Sequence, residues 1–203
     1  MKILAVSDYV EPLLYQRFEP KHFKGVELIL SCGDLPPEYL TFLAWAFKVP
    51  LYYVRGNHDI RFISKSPEGC TALDGRISRF KGLNFLGLDG SRWYNGGPYQ
   101  YSEAQMRRRI RGLRRKIRRL GGIDIVISHA PPRHMHDAED PCHKGFHSYN
   151  RLIDNYSPSY FIHGHIHSFF ADPSERIMVV NKTKVINTYG YYLFETEERQ
   201  DDQ

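Results

Sequence analysis

Six side chains that could hold a metal ion occur along this chain in a suggestive order: Asp8, Asp34, Asn57, His129, His165 and His167. Carboxylate and amide oxygens mixed with imidazoles suit manganese, iron, zinc or a similar divalent ion, and not the all-oxygen cage typical of calcium. Two such ions held roughly 3.5–4 Å apart can clamp a phosphate and activate a water for in-line attack. A carboxylate has two oxygens and is the natural bridge between them. Gly33, Gly56 and Gly164 each stand beside one of these residues, where a missing Cβ allows a tight turn and a close approach of metal and substrate.

The elements that must position these groups are also legible. Short apolar runs at 2–7, 28–31 and 51–54 read as buried strands, alternating with helical patterns at 12–23 and 36–47. That alternation predicts an α/β fold with parallel strands, in which sites form at the carboxyl ends of the strands. Each run ends at a polar turn: Ser7-Asp8, Gly33-Asp34 and Gly56-Asn57-His58-Asp59. A helix is expected over 103–120, opened by a Ser102/Gln105 capping box and stopped by Gly121-Gly122. Met106, Ile110, Leu113, Ile117 and Leu120 would form its buried stripe. A strand at 123–128 runs into His129. After a polar segment and a helix near 147–155, a strand at 160–162 ends in His163-Gly164-His165-Ile166-His167. The runs at 177–180, 184–186 and 191–194 read as an antiparallel meander.

The series Asp-x-x, Gly-Asp, Gly-Asn-His-Asp, His, Gly-His-x-His resembles the calcineurin-like metallophosphoesterase family of phosphodiesterases, phosphatases and nucleases. The motifs run from Asp8 to His167, and Gly56-Asn57-His58-Asp59 and Gly164-His165-Ile166-His167 are the specific ones. The resemblance implies one domain over 1–203, folded as a four-layer αββα sandwich of two mixed β-sheets flanked by helices. It implies two divalent ions, with Asp34 as bridge. Asn57, His129 and His165 complete one site, and Asp8 and His167 belong to the other. His58 would then donate toward the phosphate or the leaving oxygen, with Asp59 orienting its ring. The family's first motif is usually Asp-x-His, whereas here it reads Asp8-Tyr9-Val10. Valine cannot ligate, so the position of Asp8 and His167 is expected to be weak or partly occupied. Family members that serve as scaffolds have lost ligands or the histidine equivalent to His58, and this chain keeps His58. The implied function is hydrolysis of phosphoric esters, most of all a phosphodiester of a small molecule or nucleotide, with a metal-held hydroxide as nucleophile. A metal-binding scaffold and a nuclease using the helix at 103–120 are the alternatives.

Composition bounds the rest. A chain of 203 residues with 41% hydrophobic and 25% charged residues suits a globular domain. Cys32, Cys70 and Cys142 are odd in number and lack metal-site spacing, and no apolar run resembles an export signal or a bilayer span, so a cytoplasmic location without membrane contact is expected. The net charge of +5 is uneven: nine Lys or Arg and no acid lie within 107–119, leaving the remainder net negative. Such a helix could attract nucleic acid, but no aromatic residue is interleaved to stack bases, and a solvated face weighs more. Eight of the ten histidines fall between 129 and 167. Those at 134, 136, 143 and 147 sit in a polar segment that could be a substrate-side lid or a plain surface loop, and His163 reads as a hydrogen-bonded structural residue. The aromatic loop Arg92 to Tyr99 could line the cleft or cap the core.

Overall fold

The computed structural model describes residues 1–196. Two sheets face one another. The first is ordered β13 (Gly190–Glu195), β1 (Lys2–Ser7), β2 (Val26–Ser31), β3 (Leu51–Tyr53) and β4 (Thr71–Ala72). Strands β1 to β4 run parallel and β13 antiparallel. The second is ordered β11 (Ile177–Val180), β12 (Thr183–Asn187), β10 (Tyr160–His163), β9 (Ile125–Ser128), β6 (Leu83–Leu88) and β5 (Ile77–Phe80). Its four inner strands are parallel, and its two edges are antiparallel. A short parallel pair, β7 (Ser91–Arg92) with β8 (Gln100–Tyr101), brackets the aromatic loop.

Strand periodicity divides the apolar residues among three cores. Along β1, Ile3 and Ala5 face the space between the sheets while Leu4 and Val6 face outward, as alternate Cβ directions require. In β9, Ile125 and Ile127 point inward and Val126 outward. The outer core of the first sheet is covered by α1 (Pro37–Phe47) through Tyr39, Leu40 and Leu43. That of the second is covered by α2 (Glu103–Arg119) and α3 (His147–Tyr156). Helices, sheet, sheet and helices thus stack as the sandwich expected.

The capping box forms as its spacing requires: Gln105 N donates to Ser102 Oγ, and Ser102 N donates to Gln105 Oε1. Met106, Ile110 and Ile117 are buried, with Leu113 and Leu120 packed at the edge of the same core.

Two expectations need correction, and one element is additional to them. Residues 12–23 do not form a helix; two 3-10 turns, Pro12–Leu14 and Pro20–Phe23, replace it. Pro20 in the middle of that span lacks the N–H that a helix interior needs. The hairpin of β5 and β6 was not anticipated. Its turn is Lys81-Gly82, both at positive φ, the conformation of a tight hairpin turn without its usual asparagine. Finally, the C-terminal strands meander only between β11 and β12. β12 pairs parallel with β10, and β13 crosses to the other sheet to pair with β1.

One side chain joins the two outer helices. Glu103, at the start of α2, accepts from the backbone N–H groups of His147 (3.1 Å) and Ser148 (2.6 Å), capping α3 from a different element. Replacing Glu103 with Ala is expected to cost about 1 kcal/mol, the usual loss for a helix cap; an unchanged urea midpoint would show that the cap carries no stability.

Candidate metal centre

Every ligand loop begins where a parallel strand ends. Asp8 follows β1, Asp34 follows β2, Asn57 follows β3, His129 follows β9, and His165 and His167 follow β10. Asp8, Asp34 and His165 hold left-handed backbone, with φ of 61°, 55° and 68°. Residues other than glycine adopt it rarely, and such strain persists where the surroundings over-determine it, often at functional sites. The neighbouring glycines explain the close approach. A Cβ on Gly56 would strike the Asp34 carboxylate, and one on Gly164 would strike that of Asp8.

The two buried candidate ligand histidines, His129 and His165, each bind a carbonyl through one ring nitrogen. His129 Nδ1 lies 2.8 Å from the Cys32 carbonyl oxygen, and His165 Nε2 lies 2.7 Å from that of Cys142. A carbonyl only accepts, so those nitrogens carry the protons, and His129 Nε2 and His165 Nδ1 are left with lone pairs. These lone pairs face each other at 3.0 Å. Asn57 Oδ1 stands 3.1 Å and Asp34 Oδ2 3.2 Å from the same His129 nitrogen. Four potential ligand atoms therefore converge, and those of Asp34, His129 and His165 all lie within 4.8 Å of one another. A proton on His129 Nε2 or a metal ion can sit among them.

The electrostatics carry the same message. Burial works against a charge on His129, but the carboxylates of Asp34 and Asp8 outweigh it and hold the imidazole up at about 10. His165 is pushed down to about 3 by burial and by the charge on His129. Burial would raise Asp34, yet His129 and the His58 N–H bring it to about 2. The pocket takes one proton on His129, or a divalent ion that serves all four donors at once. The donor set fits the ion better, because two imidazoles, an amide oxygen and a carboxylate oxygen make a borderline-soft site.

Asp8 and His167 stand apart from that cluster. Asp8 Oδ2 accepts from the His165 N–H at 2.9 Å, while Oδ1 is buried without a hydrogen-bond donor. His167 Nε2 stands 3.5 Å from it, an ion-pair separation. The Asp8 carboxylate holds the half-exposed His167 imidazole above its ordinary value. Val10 packs into the outer core beside Val6 and Leu14. Glu11 offers no substitute, since its carboxylate caps the following 3-10 turn at Leu13 N.

His58 is exposed, and among the described residues its ring has no hydrogen-bond partner. Its backbone N–H donates to Asp34 Oδ1 at 2.8 Å. The expected role of Asp59 in orienting the His58 ring needs correction: Asp59 Oδ2 accepts instead from Asp34 N (2.9 Å) and Gly56 N (2.7 Å), tying two ligand loops together. Burial and the nearby Asp34 charge push this carboxyl up to about 7.

Several contributors carried no sequence signal. Asn57 Nδ2 donates to Tyr94 Oη at 3.1 Å, which turns Oδ1 toward His129. The carbonyls of Cys32 and Cys142 have no side-chain signature at all. Cys142 is held by Asp140, whose Oδ1 accepts from the N–H groups of residues 142 and 143. The histidine-rich segment is knit by Arg133, paired with Asp137 at 2.5 Å and Glu139 at 2.6 Å. His163 is buried, with Nδ1 against the Gly164 carbonyl and Nε2 3.0 Å from His136 Nδ1.

Residues 1–196 match the model of the calcineurin-like phosphoesterase superfamily domain, and the chain belongs to that superfamily. No curated protein sequence matches it. Among solved structures, it is similar to a Thermus thermophilus protein at 17% identity and TM-score 0.65, over 93% of this chain and 89% of that one. A dimetal phosphatase from Danio rerio aligns at 14% identity and TM-score 0.62, over 94% and 87%. The calcineurin-like phosphoesterase YfkN of Bacillus subtilis aligns at 12% identity and TM-score 0.59, over 95% and 83%. Such identities carry the fold alone. Family and candidate ligands together make the chain a metal-dependent phosphoester hydrolase. Among the described residues no helix is long and apolar enough to cross a membrane.

Two substitutions separate positioning from ligation. Tyr94→Phe removes the acceptor that aims Asn57, and is expected to weaken metal binding by about 10–100-fold in titration calorimetry, as for other residues that orient ligands; unaltered affinity would remove Tyr94 from the site. Asp59→Asn keeps an oxygen for the two N–H groups, whereas Asp59→Ala strands them at about 1–3 kcal/mol. Equal urea midpoints for the two variants would contradict the tethering role.

Proposed function

We propose that the chain is a phosphodiesterase acting on a small molecule or nucleotide in the cytoplasm, with manganese, iron or zinc as its ions. The observation that carries the diester reading is the charge balance of the ligand loops. Arg55 is paired with Asp89 and Asp74, Arg61 with Glu38, and Arg133 with Asp137 and Glu139. No uncompensated guanidinium on the loops of Asn57 and His129 waits for the second charge of a monoester, so a monoanionic diester suits the site better. The ring around His167 favours a planar ester group. Tyr189 stacks on His167 at 5.0 Å and meets Tyr9 and Phe169 at 6.3 and 5.8 Å. Tyr9 and Phe169 are 45% and 93% exposed, and such faces accept a base or aryl group. Three unpaired cysteines agree with a reducing compartment.

Divalent ions, when bound, supply Lewis acidity toward the phosphate and lower the pKa of a water. The chain's own residues then divide the remaining work. Asp34, Asn57, His129 and His165 hold the better position, and Asp8 with His167 the poorer one. His58, exposed beside Asp34 and free of structural partners, is placed to hydrogen-bond the phosphate or give a proton to the departing oxygen.

Assays on bis-p-nitrophenyl phosphate and p-nitrophenyl phosphate with added Mn²⁺ test this reading. The diester should have the higher kcat/KM, chelation should abolish turnover, and His58→Ala should lower kcat by about a hundredfold or more. A preference for the monoester would make the chain a phosphatase. No hydrolysis with any divalent ion would leave a metal-binding scaffold.

A further inference from the structure

We propose that the groove between α2 and α3 is a docking surface for an acidic amphipathic helix of a partner protein. This is separate from the metal centre. The groove has a volume of about 670 Å³. One wall carries Arg107, Arg111, Arg114 and Arg118, and Arg151 of α3 enters from the other side. The floor is apolar, built by Ile110, Ile117, Leu152 and Tyr156, and none of the lining residues is acidic.

The sequence alone favours a solvated helix face for the basic run, with a nucleic-acid surface as the alternative. The structure adds a second wall and an apolar floor, where Ile110, Ile117 and Leu152 belong to the core of α2 and α3 and Tyr156 is left partly exposed. Among the described residues, none of the five arginines of the groove has a carboxylate within ion-pair distance, although Arg109 of the same helix is paired with Asp74. Ser148, on the α3 side, has a buried hydroxyl without a hydrogen-bond partner.

Charge and shape together select the occupant. The wall arginines follow helical intervals of four, three and four residues and span about 16 Å at 1.5 Å per residue. Carboxylates on one face of a partner helix recur at the same intervals, and guanidinium groups take carboxylates bidentately. An apolar stripe beside those carboxylates would cover the floor, the arrangement of helix-in-groove recognition. A nucleic acid strand matches the charge but not the floor. Its bases would find no exposed aromatic face to stack on, since the one aromatic residue of the floor, Tyr156, packs against the core.

Fluorescence anisotropy on the full chain provides the test. The probe is a labelled synthetic helix of about five turns, with Glu at the matching intervals and Leu on the adjoining stripe. Two competitors accompany it: the same peptide with Leu replaced by Ser, and a single-stranded oligonucleotide of equal charge. The amphipathic peptide should bind, lose affinity between about 50 and 200 mM salt, and weaken roughly tenfold in Arg111→Glu/Arg114→Glu, which leaves hydrolysis unchanged. Arg111→Lys/Arg114→Lys keeps the charge and should fall between the two. Amide exchange should slow on binding only within 107–122 and 148–156. Tighter binding of the oligonucleotide would overturn the proposal in favour of nucleic acid. Equal binding of the Ser peptide would reduce the groove to a bare charged face, and indifference of both arginine variants would remove it altogether.

Discussion

The lone pairs of His129 and His165 meet at 3.0 Å because two backbone carbonyls, from opposite sides of the cleft, claim the other ring nitrogens. One carbonyl belongs to Cys32, just past β2, and the other to Cys142, in the histidine-rich segment. Much of the surrounding structure holds those carbonyls in place. Cys32 N donates to Val6 O, which continues the β1–β2 ladder beyond the strand. Asp140 and Arg133 brace the segment that carries Cys142. A proton on His129 and a metal ion compete for these same atoms, because the Asp34 and Asp8 carboxylates favour positive charge there. Metal affinity and stability are therefore linked, as expected when ligands are assembled by folding.

The same economy explains the strained backbone. Left-handed residues at Asp8, Asp34 and His165 turn each chain sharply at the end of a buried strand. A gentler exit would carry these side chains past the cleft. The turns are tied to one another: Asp8 N donates to Gly33 O, and Gly164 N to His129 O. Asp59 joins the loops of Asp34 and Gly56. The site is thus a set of five strand ends stitched by hydrogen bonds, and its rigidity comes from both sheets.

What could be read from the sequence was what residue type and spacing encode. The ligand series, the strands at 2–7 and 51–54, the capping box at Ser102 and the stripe from Met106 to Leu120 are all local patterns. The hairpin at Lys81-Gly82 escaped notice because lysine is an uncommon residue at positive φ. The segment 12–23 misled because its apolar spacing ignored Pro20. The crossing of β13 to the first sheet is a long-range pairing that no local pattern announces. At the site, Tyr94 acts through a hydroxyl brought from 37 residues away, and Cys32 and Cys142 act through carbonyls that every residue possesses. Asp59 was found by its motif, but its role was not: burial beside Asp34 turns a plausible partner for His58 into a tether for two N–H groups.

Helix α2 shows how differently one residue type can be used on two faces. On its inner face Arg109 meets Asp74, which also lies near Arg55, and Arg55 binds Asp89 at 2.5 Å beside the loop of Asn57. Charge there is compensated and helps to position the site. On the outer face, Arg107 and Arg111, Arg111 and Arg115, Arg114 and Arg118, and Arg115 and Arg119 are like charges four residues apart. Each such pair is unfavourable by about 0.2–0.5 kcal/mol. The capping box, the apolar stripe and the pairing of Arg109 offset this, while the positive residues of the last turn gain from the helix dipole. Four repulsive pairs amount to a stability loss comparable to that of a missing helix cap. The arginines of this face therefore weaken the helix, and the capping box and buried stripe are what let it form.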